Sequence, residues 1–145
     1  MKIKKERRSS LNGSKSYALD TSFLVYHYYK GDERTNRFFE EGVTNLVTIC
    51  ETLYTICRKE GLQRALDFVK EVSKRVKIIP SERVTPIAGQ FKCKYSISLA
   101  DCWVLATAKI QNIPALFAFK EKELQEHLES LKHEVEVIFL EEVLK

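Results

Sequence analysis

Three carboxylates stand alone in otherwise uncharged stretches of the chain: Asp20 in YALDTSFLVYHYY, Glu51 in GVTNLVTICETLYTIC and Asp101 in YSISLADCWVLATA. An ionised carboxylate in apolar surroundings is costly unless something compensates it. No local cation does so. At three and four residues from Glu51 a helix would place Val47, Thr48, Tyr54 and Thr55, and from Asp101 it would place Ile97, Ser98, Val104 and Leu105, so neither acid can form a helical salt bridge. If the three acids converge, they make an oxygen-only, cation-free site for a hard divalent metal, Mg²⁺ or Mn²⁺. Each acid also has a local explanation. Asp20-Thr21-Ser22 suits a helix N-cap, Ser98-Leu99-Ala100-Asp101 has capping-box spacing, and Glu51 can complement a helix dipole. Capping accounts for single positions but not for three lone acids at one edge of a sheet, and the joint pattern favours metal.

The surrounding elements have to bring these positions together. Short apolar runs rich in β-branched or aromatic residues predict strands over Tyr17 to Leu19, Asn45 to Thr48, Val76 to Ile79, Ala115 to Phe119 and Val135 to Phe139. Helical periodicity lies between them. Leu62, Ala65, Leu66, Val69 and Val72 form one stripe, Leu99 to Ala108 is apolar nearly all round, and Leu124, Leu128 and Leu131 mark a later amphipathic helix. Gly31-Asp32, Gly42, Gly61, Pro80-Ser81 and Pro114 punctuate the boundaries. Strands alternating with helical crossovers give an α/β fold with a largely parallel five-stranded sheet. In such a sheet the ligand crevice lies at the strand ends where helices begin. Asp20 follows the first strand, Glu51 lies past the second, and Asp101 opens the helix leading to the fourth.

With 145 residues, 44% of them hydrophobic, the chain suits one domain with one core. Its net charge of +4 is uneven, because residues 1 to 16 carry +5 while the remainder has 18 bases and 19 acids. We therefore expect a basic arm over residues 1–15 and a domain over 16–145. Lys4, Lys5, Arg7 and Arg8 of the arm are candidates to hold a phosphate backbone, and a merely solvated tail is the alternative. No apolar run is long enough to span a membrane, and no apolar segment follows the N-terminal charges. Cys50, Cys57, Cys93 and Cys102 form no C-x-x-C pair and fit reduced core thiols, so the expected compartment is the cytoplasm.

In order along the chain, ALDTS, VTICETLY and SISLADCWVLATAKIQNIPAL resemble the PIN-domain family of metal-dependent ribonucleases, which includes the VapC toxins. The likeness covers roughly residues 16 to 140 and leaves the arm outside. It implies a three-layer α/β/α sandwich, with Asp20, Glu51 and Asp101 as metal ligands and Ser22 and Ser98 as supporting hydroxyls. The family usually places a fourth acid, commonly Asp, after the fourth strand. Here ALFAFKEKELQ offers only Glu121, Glu123 and Glu126, and Glu121 is the chosen equivalent.

By that resemblance the protein is a Mg²⁺- or Mn²⁺-dependent endoribonuclease, a toxin or an RNA-processing enzyme. The metal would activate water for in-line attack on an RNA phosphodiester, and a homodimer and an antitoxin or other protein partner are implied. One alternative keeps the fold without the chemistry, as a module binding RNA or protein. Another is an aspartyl phosphatase or receiver domain. Against it, Ser22 stands where the phosphatases carry a second Asp, and no receiver-type acidic pair precedes Asp20.

Overall fold

Tyr17–Leu19 forms β1 and is buried on both faces. Ala18 enters one hydrophobic cluster while Tyr17 and Leu19 enter another, as the two-residue side-chain period of a strand requires. The computed structural model describes residues 15–144; the arm residues Lys4, Lys5, Arg7 and Arg8 lie outside that range.

After β1 come α1 (Thr21–Lys30), a 3₁₀ turn (Glu33–Thr35), α2 (Asn36–Glu40), β2 (Gly42–Thr44), α3 (Leu46–Glu60), α4 (Leu62–Arg75) and β3 (Lys77–Ile78). The second half runs α5 (Ser81–Lys94), α6 (Leu99–Gln111), β4 (Ala115–Phe117), α7 (Lys122–Gln125), α8 (Leu128–Leu131), β5 (Val137–Phe139) and α9 (Leu140–Val143). The five strands pair in the order β3-β2-β1-β4-β5, all parallel. On one face Ala18, Val43, Ala115 and Phe117 pack with α5 and α6 through Val84, Ala88, Phe91, Val104 and Leu105. On the other, Leu19 and Leu116 pack with Phe23, Leu24, Phe38, Phe39 and Val72 of α1, α2 and α4. The architecture is the expected α/β/α sandwich. Its strand order reverses at β1, because β2 and β3 lie to one side and β4 and β5 to the other. The crevice therefore opens beyond the C-terminal ends of β1 and β4.

The second strand differs from expectation. Its β-branched residues predict a strand over Asn45 to Thr48, but the strand is Gly42–Thr44 and Asn45 caps α3, its side-chain oxygen accepting the Thr48 N–H at 2.9 Å. A cap bond fixes a helix start more strongly than Val47 and Thr48 favour a strand. Gly42 stands at the expected boundary, as the first residue of β2, and is also a place of close approach: a Cβ there would overlap Leu19 Cδ1 and sit 3.0 Å from the Phe39 carbonyl oxygen. Leu19 is fully buried and cannot yield. Gly42→Ala is therefore expected to cost about 1–3 kcal/mol by overpacking, read as a lower urea midpoint with an unchanged m value.

Burial also corrects the sequence picture in two places. Leu62 and Leu66, assigned to the apolar stripe of α4, are largely exposed, while Ala65 and Val72 carry its packing. Of the cysteines only Cys102 is buried; Cys50 and Cys93 are exposed and Cys57 is intermediate. All four are free thiols.

Candidate metal site at the sheet switch point

β1 ends at Leu19 because the chain turns at Asp20, whose backbone N–H still donates to Leu116 O of β4 at 3.0 Å. Asp20 is the N-cap of α1: its Oδ2 accepts the Ser22 N–H at 2.8 Å, and its carbonyl accepts from Phe23 and Leu24. The capping role is real, yet it does not exhaust the residue. Asp20 is only 6% exposed, and burial pushes its carboxyl up from 3.8 to about 6 against the lowering effect of the Ser22 hydrogen bonds. The negative charges of Glu51 and Glu121 push it further the same way.

Glu51 lies in the second turn of α3, half-buried. Thr21, the residue after Asp20, donates its hydroxyl to Glu51 Oε1 at 2.7 Å; its 3.4 Å approach to Thr48 O is too long to compete. Asn45 fixes α3 from below by donating its side-chain amide to Thr107 Oγ1 at 3.0 Å and Trp103 O at 3.3 Å, which locks α3 to α6. The fully buried Thr48 hydroxyl beside it has no hydrogen-bond partner.

Asp101 sits in the first turn of α6, where Ser98 Oγ accepts its backbone N–H at 3.1 Å. Burial, then the charges of Asp20 and Glu121, lift its carboxyl from 3.8 to about 8; Ser98 opposes this and Glu51 adds to it. Glu121 occupies the N-cap position of α7 and is exposed. Of the three glutamates after β4, Glu121 alone figures among the main influences on both Asp20 and Asp101. Ser22 ties this exit to α1, because its Oγ accepts the Ala118 N–H at 2.9 Å. Ser22→Ala would leave that N–H without its acceptor, so it is expected to cost about 1–2 kcal/mol in urea unfolding.

Four acids from four elements thus share one electrostatic neighbourhood, and none takes part in an ion pair among the described residues. In charge and donor type the set fits a hard divalent cation. As they stand, no three His, Cys, Asp or Glu side chains among the described residues are arranged to hold one ion, and Glu51 is engaged with Thr21. Among the described residues the fold thus builds a shared neighbourhood of acids rather than a finished cage. Sequence reasoning missed Thr21 as the partner of Glu51 and Asn45 as the lock between helices. The Asn-x-x-Thr start of α3 was the available signal for the second.

The PIN domain family model matches residues 17–128, a span containing all four acids. A search of curated proteins finds no match. Among solved structures, the chain is similar to DNA-bound VapBC from Salmonella typhimurium at 13% identity and a TM-score of 0.66, covering 87% of this chain and 98% of that one. VapBC2 from Rickettsia felis, bound to a fragment of its promoter, gives 13% identity and a TM-score of 0.64 over 83% and 96%. VapC20 of Mycobacterium tuberculosis, a sarcin-ricin loop cleaving toxin, gives 19% identity and a TM-score of 0.57 over 74% and 92%. At these identities the structural likeness speaks for the fold, and the family match, which spans most of the chain, makes the assignment: the protein belongs to the PIN domain family.

Proposed function

We propose that the protein is a Mg²⁺- or Mn²⁺-dependent endoribonuclease of the PIN type. The observation that carries the reading is that Glu51 and Glu121 bear on the buried carboxyls of Asp20 and Asp101 at the sheet switch point, and that none of the four forms an ion pair among the described residues. Asp20, Glu51 and Asp101 would hold the ion, and Glu51 would have to exchange its bond from Thr21 for it. When bound, the ion supplies positive charge that acidifies water and offsets charge developing on the phosphate. Glu121, exposed and outside that ligand set, orients the attacking water and accepts its proton. Ser22 and Ser98 hold the backbone turns that carry Asp20 and Asp101.

The substrate is RNA, and Lys4, Lys5, Arg7 and Arg8 add non-specific phosphate contacts. Because the chain is similar to VapBC assemblies and to a toxin-antitoxin complex from Klebsiella pneumoniae, a protein antitoxin and a homodimeric toxin in the cytoplasm belong to the same reading. No helix among the described residues is long and apolar enough to cross a membrane. Cleavage of single-stranded RNA in Mn²⁺ that stops on chelation is the expected result.

A second reading is favoured by one observation: the acids are not arranged to chelate an ion as they stand. In it the domain binds RNA or a protein without cutting. RNA binding without cleavage at any Mg²⁺ or Mn²⁺ concentration would select it.

A further inference from the structure

Thr21 is buried, with 7% of its surface exposed, and its hydroxyl has one good acceptor. That acceptor is Glu51 Oε1, at 2.7 Å. The other oxygen in reach, Thr48 O at 3.4 Å, already receives the Thr52 hydroxyl at 2.8 Å and, as a carbonyl inside α3, the N–H of the next helical turn. Burial leaves little room for water to replace Glu51. From the other side the bond is equally exclusive: among the described residues Glu51 forms no ion pair, and Thr21 is the one donor to its carboxylate.

Both ends of this bond are fixed. Thr21 opens α1 behind the Asp20 cap, whose Oδ2 accepts from Ser22 and whose carbonyl accepts from Phe23 and Leu24, and a β-branched side chain is stiff at χ1. Asn45 pins the start of α3 by accepting from Thr48 and donating to Thr107 and Trp103. Two anchored helices thus hold residues 30 positions apart at short range. A plain tie between α1 and α3 is the simpler role. The acceptor argues for another, because Glu51 is one of the three acids assigned to the ion, and carboxylate oxygens are the atoms a hard cation takes. A buried hydroxyl stripped of its acceptor costs free energy. Whatever draws Glu51 away has to offset that cost.

We propose that Thr21 is a positioning residue that sets the affinity of the acid site for its divalent ion by competing for the carboxylate of Glu51. This rests on the metal reading of the site, but its test does not depend on cleavage. The protein binds its cation more weakly than the same acids would without the Thr21 hydroxyl, and the site fills only where the ion outweighs that bond.

The experiment uses the full chain as wild type, Thr21→Val, Thr21→Ala and Thr21→Ser. Mn²⁺ affinity is read from the electron paramagnetic resonance signal of free Mn²⁺, and stability from urea unfolding in EDTA. Thr21→Val is expected to lower the Mn²⁺ Kd about tenfold, the factor for one hydrogen bond to a charged group, while its urea midpoint in EDTA falls. Thr21→Ser keeps the hydroxyl and should return both close to wild type. The opposite signs are the signature. A plain tie would lower stability without tightening Mn²⁺ binding, and a donor that orients Glu51 for the ion would weaken binding by about 10- to 100-fold when removed. A Kd in Thr21→Val equal to or above that of wild type would overturn the assignment and leave the metal reading intact. If Thr21→Val does not fold, Thr21→Ala carries the same comparison. No Mn²⁺ binding by wild type or by either hydroxyl-free variant would remove the metal reading and the assignment with it, whereas binding that emerges only without the hydroxyl would support both.

Discussion

With Asp20 a metal ligand of a ribonuclease, as proposed, Asp20→Asn is expected to lower RNA cleavage by at least about 100-fold, because loss of a ligand outweighs the 10- to 100-fold effects of residues that only support ligands. The same change should leave metal-free stability unchanged or higher. Asn caps a helix as well as Asp does, and its amide oxygen can still accept the Ser22 N–H that Asp20 Oδ2 now accepts. The substitution also removes a carboxylate that burial and the charges of Glu51 and Glu121 already disfavour. A residue serving only as a cap behaves the other way: Asn would leave activity intact, and Ala would lose about 1 kcal/mol of stability. Cleavage assays beside thermal melts of wild type, Asp20→Asn and Asp20→Ala separate the roles.

The second large effect is on the pH dependence of stability, and its sign depends on metal. In the folded protein Asp101 titrates near 8 and Asp20 near 6, both above their ordinary 3.8. Between about pH 4 and those values the folded state holds protons that the unfolded chain has released, so metal-free stability falls as pH rises through this window. Below pH 4 both states are protonated, and above about 8 the full penalty is present. The loss across the window should be on the order of a few kcal/mol. Asp101→Asn should abolish most of it and stabilise the metal-free protein at pH 8. Metal reverses the trend: ligands must be deprotonated to bind, so stabilisation by Mn²⁺ should grow from pH 5 to pH 8 in wild type. Asp101→Asn should blunt that gain. Urea unfolding at pH 5, 6.5 and 8, with and without Mn²⁺, measures both.

These expectations show which parts of the molecule the residues announce in advance. The alternation of elements was legible because parallel strands buried on both faces read as apolar runs, as YAL, ALF and VIF do. The sheet edge carrying Asp20 and Asp101 followed from that order. The limits of β1 were legible, but those of the other four strands were not, since these have only two or three residues and their apolar neighbours continue into loops or helix caps. Leu62 and Leu66 misled for a related reason. Helical periodicity identifies a face, but within that face Val72 joins the core with Leu19 and Phe39 while Leu62 and Leu66 stay exposed. Three lone carboxylates were visible as a cost without compensation, whereas the Thr21–Glu51 and Asn45–Thr107 bonds join residues 30 and 62 positions apart and leave no periodic trace. The choice of Glu121 over Glu123 and Glu126 likewise depended on the turn after β4, where the chain enters a four-residue helix.

Two features of the fold bear on how the site is held. Asp20 and Asp101 both stand at helix starts, where their own backbones are fixed by caps, and Glu51 rides on α3, which Asn45 pins to α6. The backbones that carry the acids are therefore set by helix caps, the Asn45 contacts and the sheet itself, and the Ser22 N–H and the Thr21 hydroxyl hold the side chains of Asp20 and Glu51.

The most direct test of the central claim is a crystal soaked in Mn²⁺ and measured at a wavelength with strong manganese anomalous scattering. We expect an anomalous peak bounded by Asp20, Glu51 and Asp101, with Glu51 rotated off Thr21. A map in which Mn²⁺ is absent from these acids at saturating concentration, or in which they are matched by lysine or arginine instead, would contradict the account.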